Sequence, residues 1–209
     1  MRGAERQIFP HPSFACNFRK IVHFYKVNFL CHLFVCCVVF KVKGLIKMNN
    51  HSVRPTDDEI KEVVTVYSNM LFKLCFSILC STADAEDAVS DTFVKYMTKA
   101  PYFNGEEHRK AWLLRVAVNI CKNMCRFRKR NGCIDIDEVR ELAAEEKDFG
   151  VLEQVMKLPE KYKTIIHLHY VEGYKVKELA KILDISEAAA KKRLQYGRNI
   201  LKAEYGKED

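Results

Sequence analysis

The amino-acid sequence predicts an all-α protein built as two small helical domains joined by a flexible acidic linker. Three observations carry that prediction. Apolar residues recur at helical spacing on both sides of an acidic, weakly patterned stretch. Capping and breaking residues fall where those periodic stretches begin and end. No alternating strand pattern of useful length occurs, and there is no internal repeat.

The chain has 209 residues and a formal net charge of +8. That basicity is misleading as a whole-chain figure. Residues 1–47 hold eight Lys/Arg against one Asp/Glu, so residues 48–209 hold 27 against 26. The local distribution is the better guide. Residues 107–130 carry eight basic and one acidic side chain, and residues 174–207 carry nine and four. Between them, residues 134–160 hold nine acidic and three basic side chains. Two basic patches separated by an acidic stretch point to two nucleic-acid contacts on one chain.

Residues 1–47 differ in character from the rest. The longest apolar run there, Phe29 to Phe40, is too short to span a bilayer, which takes about 20 residues. It lacks the small-residue cleavage site of a signal peptide. Aromatic, Cys and Val enrichment without helical periodicity reads as a mis-annotated or disordered extension. Met48 is the expected start, since Lys43-Gly44 requires a purine-rich codon string shortly upstream of it. The competing reading is a membrane-associating segment, so membrane contact is expected only if residues 1–47 are translated.

The elements then follow in order. Thr56-Asp57-Asp58-Glu59 is a cap with dipole-favoured acids. It opens a long helix whose apolar stripe includes Ile60, Val63, Val64, Tyr67, Leu71, Leu74, Cys75 and Ile78. Ser81-Thr82 is expected to end it. Asp84 to about Lys99 forms a second helix, with Ala88, Val89, Phe93 and Tyr96 or Met97 inward, stopped by Pro101. A loop carrying Tyr102 and Phe103 leads to a third helix, from about Glu107 to Arg130. Trp112, Leu113, Val116 and Ile120 are its expected core residues. Residues 132–148 are the linker. Leu152, Val155 and Met156 begin the second domain, and Leu158-Pro159 introduces a helix containing Ile165, Ile166, Leu168 and Tyr170.

The segment from Glu172 to Lys202 reads as helix, tight turn, helix. Val176, Leu179, Ala180 and Leu183 face a core in the first, and Asp184-Ile185-Ser186 makes the turn with Ser186 as N-cap. In the second, Ala190, Leu194, Gly197 and Leu201 share a packing face. That leaves Ala188, Lys191, Lys192 and Gln195 outward, where a major groove can receive them. The bland alternative is a solvated basic helix in an ordinary bundle.

The nine cysteines show no Cys-x-x-Cys pair with a matching partner, so they read as reduced core residues of a cytoplasmic protein. Cys121 and Cys125, one turn apart, leave a weaker redox or metal reading. No carboxylate pair, nucleophile–base set or phosphate loop stands out, so no enzyme, cofactor, metal or small-molecule substrate is expected. His167 and His169 lie two apart on a helix and face different sides.

Three stretches in order carry a resemblance. DAEDAVSDTFVKYM (84–97) is similar to the polymerase-binding helix of region 2 in bacterial sigma-70 family factors. FNGEEHRKAWLLRVAVNICKNMCRFRKR (103–130) resembles the segment that melts and reads the −10 promoter element. LPEKYKTIIHLHYVEGYKVKELAKILDISEAAAKKRLQYGR (158–198) looks like region 4, which reads the −35 element. The acidic linker in place of a region 3 domain resembles the extracytoplasmic-function (ECF) group.

The resemblance implies a transcription initiation sigma factor that binds core RNA polymerase and promoter DNA, with an anti-sigma protein as antagonist. Region 2 is then expected over 48–131 and region 4 over 149–209. Asp84, Asp87, Asp91 and Phe93 are the implied polymerase contacts. For the −10 element the polar set is Arg109, Lys110, Arg115, Asn119, Lys122, Asn123, Arg126 and Arg128: cations grip phosphates and Asn bonds base edges. The loop aromatics are placed to receive an unstacked base, although Phe103 reads more simply as packing. For the −35 element, Lys191, Lys192 and Gln195 are the expected base-edge residues. Arg193 and Arg198 suit phosphates, Lys175 and Lys177 reach the backbone from the preceding helix, and Ser186 and Ala188 open the recognition helix. Two departures stand out. Asp184 replaces the usual turn glycine, and Ala188-Ala189-Ala190 replaces Gly-Thr-Val, which removes a hydroxyl near the helix start. The alternative is a stand-alone helix-turn-helix regulator, which leaves the acidic second helix without a role.

Overall fold

The computed structural model describes residues 55–131 and 155–205. The expectations for residues 1–47 and for the linker lie outside these. Among the described residues the regular structure is helical throughout, in six main helices: α1 (Asp57–Leu79), α2 (Thr82–Lys99), α3 (Glu106–Asn131), α4 (Glu160–Tyr170), α5 (Val176–Leu183) and α6 (Glu187–Tyr205).

Helix α1 opens with the expected reciprocal cap. Thr56 Oγ1 accepts from the Glu59 N–H at 3.3 Å, and the Glu59 carboxylate accepts from the Thr56 N–H at 2.7 Å. Its end differs from the expectation. The helix stops at Leu79 because Cys80 turns left-handed (φ 53°), its N–H donating to the Phe76 carbonyl at 2.8 Å. Ser81 then caps α2 instead of closing α1, so α2 starts at Thr82, two residues early. Ala100 takes an extended conformation before Pro101, as the proline ring requires, and α2 ends there.

Helices α1, α2 and α3 form one three-helix unit. Val64, Leu71, Leu74, Ala88, Phe93, Leu113, Leu114 and Cys121 are all at most 1% exposed in its core. By composition α1 is long and apolar enough to cross a membrane, and here it is the central core helix of this bundle. Trp112 and Val116 pack at the edge of the core; Leu114, Ala117 and Val118 fill more of it than their spacing alone announced.

The second unit is α4, α5 and α6. Glu178 accepts from the Lys175 N–H at 2.8 Å at the start of α5. Asp184 ends α5 in the left-handed conformation (φ 56°), a geometry that Asp tolerates better than most residues. Ser186 Oγ accepts from the Ala189 N–H at 3.1 Å, as its capping role predicts. Ala190, Leu194, Gly197 and Leu201 are buried as expected. A Cβ on Gly197 would lie 2.8 Å from Ile166 Cδ1, so the missing side chain sets how closely α6 approaches α4.

The two units pack against each other, chiefly α1 on α4, with α3 reaching α4 and α5. Cys80 Sγ sits 3.6 Å from Met156 Sδ and 3.0 Å from Lys163 Nζ. This junction explains an oddity of α4: the charged Lys163 is only 6% exposed.

Candidate nucleic-acid and polymerase interfaces

The recognition helix is built from the inside out. Ala190, Leu194 and Leu201 fix the inner face of α6, and the helical repeat then forces Ala188, Lys191, Lys192 and Gln195 outward, all four exposed. Among the described residues no ion pair involves Lys191, Lys192 or Arg193. Lys192 Nζ lies 5.8 Å from the centroid of the Tyr196 ring, an exposed aromatic one turn along. Tyr196 is a residue the sequence reading passed over; its signal is an aromatic at an outward position beside the basic set. Arg193 is half-buried. Arg198 lies exposed with its Nε donating to the Tyr170 hydroxyl at 2.6 Å. Lys175 and Lys177 stand exposed at the start of α5, while the Ser186 hydroxyl is occupied in capping α6.

The basic set on α3 is arranged differently. Arg109 pairs with Glu106 at 2.5 Å, and its guanidinium lies 5.8 Å from the Phe103 ring. Lys110 reaches across to Glu172 at 3.1 Å and lies 5.5 Å from the Tyr174 ring. Arg115 meets Asp184 at 3.3 Å. Burial lowers the Lys122 pKa, and the nearby Arg193 pushes it the same way. Asn119 and Asn123 are exposed, and Asn123 accepts from Arg126 at 3.1 Å. Arg128 donates to the Leu79 carbonyl at 2.9 Å and pairs with Asp84. Thus Asp84, expected on the polymerase side, and Arg128, expected on the DNA side, hold each other between α2 and α3.

The loop before α3 separates its two aromatics. Phe103 stacks on Tyr96 at 6.1 Å and meets Trp112 edge-on at 5.7 Å, so it packs the loop against the bundle. Tyr102 is 83% exposed beside it. Phe127, 63% exposed between Arg126 and Arg128, is a second outward aromatic that the periodicity did not single out.

On α2, Asp87 and Asp91 are exposed one turn apart, and Val94 continues the same stripe at 37% exposure. Glu86 beside them has its carboxyl pKa raised, by burial first and by Asp87 second. Phe93 belongs elsewhere. At 1% exposure it is a core residue, so it holds α2 in place instead of lining the outer face.

His167 and His169 do face different ways. His167 is buried, and that burial, aided by Lys73, lowers its pKa to about 3. His169 Nδ1 lies 2.8 Å from the Tyr174 carbonyl oxygen. Cys75, Cys80 and Cys121 are free and buried. Among the described residues no three His, Cys, Asp or Glu side chains come together as a metal site.

Comparison with known proteins matches both units in order. Residues 63–131 match the family model described as Sigma-70 region 2, and residues 149–201 match Sigma-70, region 4. The chain is 25% identical over 178 residues to the ECF RNA polymerase sigma factor SigW of Bacillus subtilis, covering 76% of this chain and 95% of that protein. It is 26% identical over 150 residues to RNA polymerase sigma factor SigV of the same organism, covering 70% and 90%. With the ECF RNA polymerase sigma-E factor of Haemophilus influenzae it shares 28% over 140 residues, covering 58% and 74%. An acidic-faced helix, a basic helix and a helix-turn-helix, in the order of the two matched regions, make this chain a member of the sigma-70 family, in its ECF group, and a transcription initiation sigma factor.

Proposed function

We propose a division of labour along the chain that goes beyond family membership. The outer stripe of α2, with Asp87, Asp91 and Val94, docks on a basic surface of core RNA polymerase. Exposed acids flanking an apolar side chain suit that contact. The loop at 101–105 and the polar face of α3 engage the −10 element, with Tyr102 offering its ring to an unstacked base. Helix α6 enters the major groove of the −35 element with Lys191, Lys192 and Gln195 at the base edges and Arg193 and Arg198 toward phosphates. Region 2 then corresponds to residues 48–131 and region 4 to residues 149–209.

The observation that carries this reading is the outward set on α6: Ala188, Lys191, Lys192 and Gln195 are all exposed over a packed inner face. The chain acts by binding and positioning and leaves the bond chemistry to the polymerase. It works in the cytoplasm, and an anti-sigma protein is its expected antagonist.

The test is co-elution of the full chain with core RNA polymerase, followed by transcription from the DNA upstream of its own gene. A stable complex with a defined start site is expected. Duplex binding without polymerase binding would overturn the division of labour and favour a stand-alone regulator.

A further inference from the structure

One contact between the two units sets an amine against a thiol. The Lys163 ammonium in α4 donates to Cys80 Sγ, at the end of α1, at 3.0 Å. The thiol in turn faces Met156, whose sulfur lies 3.6 Å away. Both groups are covered, Cys80 at 9% exposure and Lys163 at 6%. A lysine buried this far ordinarily has a carboxylate partner. Among the described residues no ion pair involves Lys163, and its partner is sulfur.

Burial decides which chemistry can reach the pair. Bulky electrophiles are excluded, whereas a peroxide is hardly larger than water. Oxidation of a thiol begins at the sulfenic acid, which goes on to bond a neighbouring group within reach. The gap between sulfur and nitrogen is one that a single oxygen, bonded to both, fills after a slight approach.

We propose that Cys80 and Lys163 are a redox modification site: hydrogen peroxide joins them through a bridge, Sγ–O–Nζ, that ties the end of α1 to α4. The first peroxide transfers one oxygen to the Cys80 thiol, giving the sulfenic acid and one water. Lys163 enters as the free amine, its extra proton having passed to solvent. The sulfenic O–H and one N–H then break as the O–N bond forms. A second peroxide takes up the two hydrogens and leaves as two waters. The pair has lost four electrons and the two peroxides have gained them. Four thiols, or two dithiols, reverse the change and return the thiol, the amine and one water as their own disulfides form. While the bridge stands the two units cannot part, and Lys110 and Arg115 stay opposed by Glu172 and Asp184. The resulting loss of activity rests on the −10 assignment of α3 made above. The bridge itself is independent of that assignment.

The experiment treats the full chain with hydrogen peroxide, removes the excess with catalase and blocks free thiols. Peptides are then read by mass spectrometry before and after dithiothreitol. The expected product is a cross-linked peptide pair holding Cys80 and Lys163, one oxygen heavier and two hydrogens lighter than its parts, and separated by dithiothreitol. Oxygen gained at Cys80 or Met156 without that cross-link overturns the bridge. Lys163→Arg keeps the charge but not the primary amine, so a reductant-sensitive cross-link to Cys80 in this variant is a disulfide and overturns it too.

The second readout is promoter-directed transcription by core polymerase supplied with the oxidised chain. Wild type is expected to lose about tenfold and to recover with dithiothreitol, while Cys80→Ser treated in the same way loses less than about twofold. Equal losses in the two chains overturn the effect on activity. If Lys163→Arg does not fold, Cys80→Ser and the mass of the cross-link carry the test. A reduced chain that fails to drive transcription would sink the division of labour while leaving the mass readout standing.

Discussion

Helices α3 and α6 are both basic, both amphipathic and both members of predicted DNA-binding sets, yet their cations live in different surroundings. On α6, Lys191, Lys192 and Gln195 stand exposed over a sealed core, and among the described residues no carboxylate pairs with either lysine. On α3, Arg109, Lys110, Arg115 and Arg128 each have an acidic partner, two of them in the other unit. A basic face is thus defined by what opposes it as much as by its own charge. The α6 set is presented, and the α3 set is engaged.

The largest effect expected from this contrast is on α6. If α6 reads the −35 element as proposed, Lys191→Ala is expected to remove a base-edge contact of about 1–3 kcal/mol, so that promoter-directed transcription falls roughly 5- to 150-fold while co-elution with polymerase is unchanged. Loss of polymerase binding by this change would break the assignment of α6. The acidic stripe of α2 should behave in the opposite way. Asp87→Lys is expected to weaken core polymerase binding about tenfold, or about 1.4 kcal/mol, and to leave duplex affinity no lower than before. A pull-down unaffected by Asp87→Lys removes that stripe from the interface.

A third effect probes the covered side through protonation. His167 is held neutral by burial, with a pKa of about 3 against 6.5 for a free histidine. Below pH 6.5 the unfolded chain binds a proton that the folded chain refuses. Stability contributed by keeping His167 neutral is therefore complete above that pH and is lost as pH falls toward 3. Comparing urea unfolding of wild type and His167→Leu, the difference in stability should change by about 1 kcal/mol per pH unit between pH 6 and 4. Parallel curves would mean that His167 is wetter than the structure has it.

The smallest expected effect falls on the engaged set. Arg115→Ala should change polymerase-free duplex affinity by less than about threefold, since the guanidinium already meets Asp184 in an exposed pair. A fall as large as that of Lys191→Ala would erase the distinction between the two helices.

Much of this was legible in the residues. The capping box at Thr56, the breaker at Pro101, the Ser186 cap and the inner face of α6 are local features, and local chemistry decides them. The outward set on α6 follows from the same periodicity. What the sequence did not disclose is the junction between the units. Lys163 reads as one more solvated lysine and is buried, because periodicity describes a helix and not the neighbour that covers it. Asp84 and Arg128 each have a sensible separate role on paper, and only the fold brings them together. Phe93 is counted among the polymerase contacts by the resemblance alone, while its helical spacing already turns it inward, and at 1% exposure the fold follows the spacing. Cys80 ends α1 in a conformation few non-glycine residues adopt, and its thiol meets groups from the other unit.

That corner has a consequence for the order in which the chain folds. Only Cys80 and Ser81 separate α1 from α2, and short segments join α2 to α3, α4 to α5 and α5 to α6. Contacts within each unit are therefore close along the chain, the condition under which helical proteins fold fastest. Cys80 meets Met156 and Lys163 across separations of 76 and 83 residues, so these junction contacts wait for the second unit to emerge from the ribosome. The first three helices can be complete while the helix-turn-helix is still being synthesised. Docking is the last step of assembly, and a chain interrupted after α3 would display its basic face uncovered.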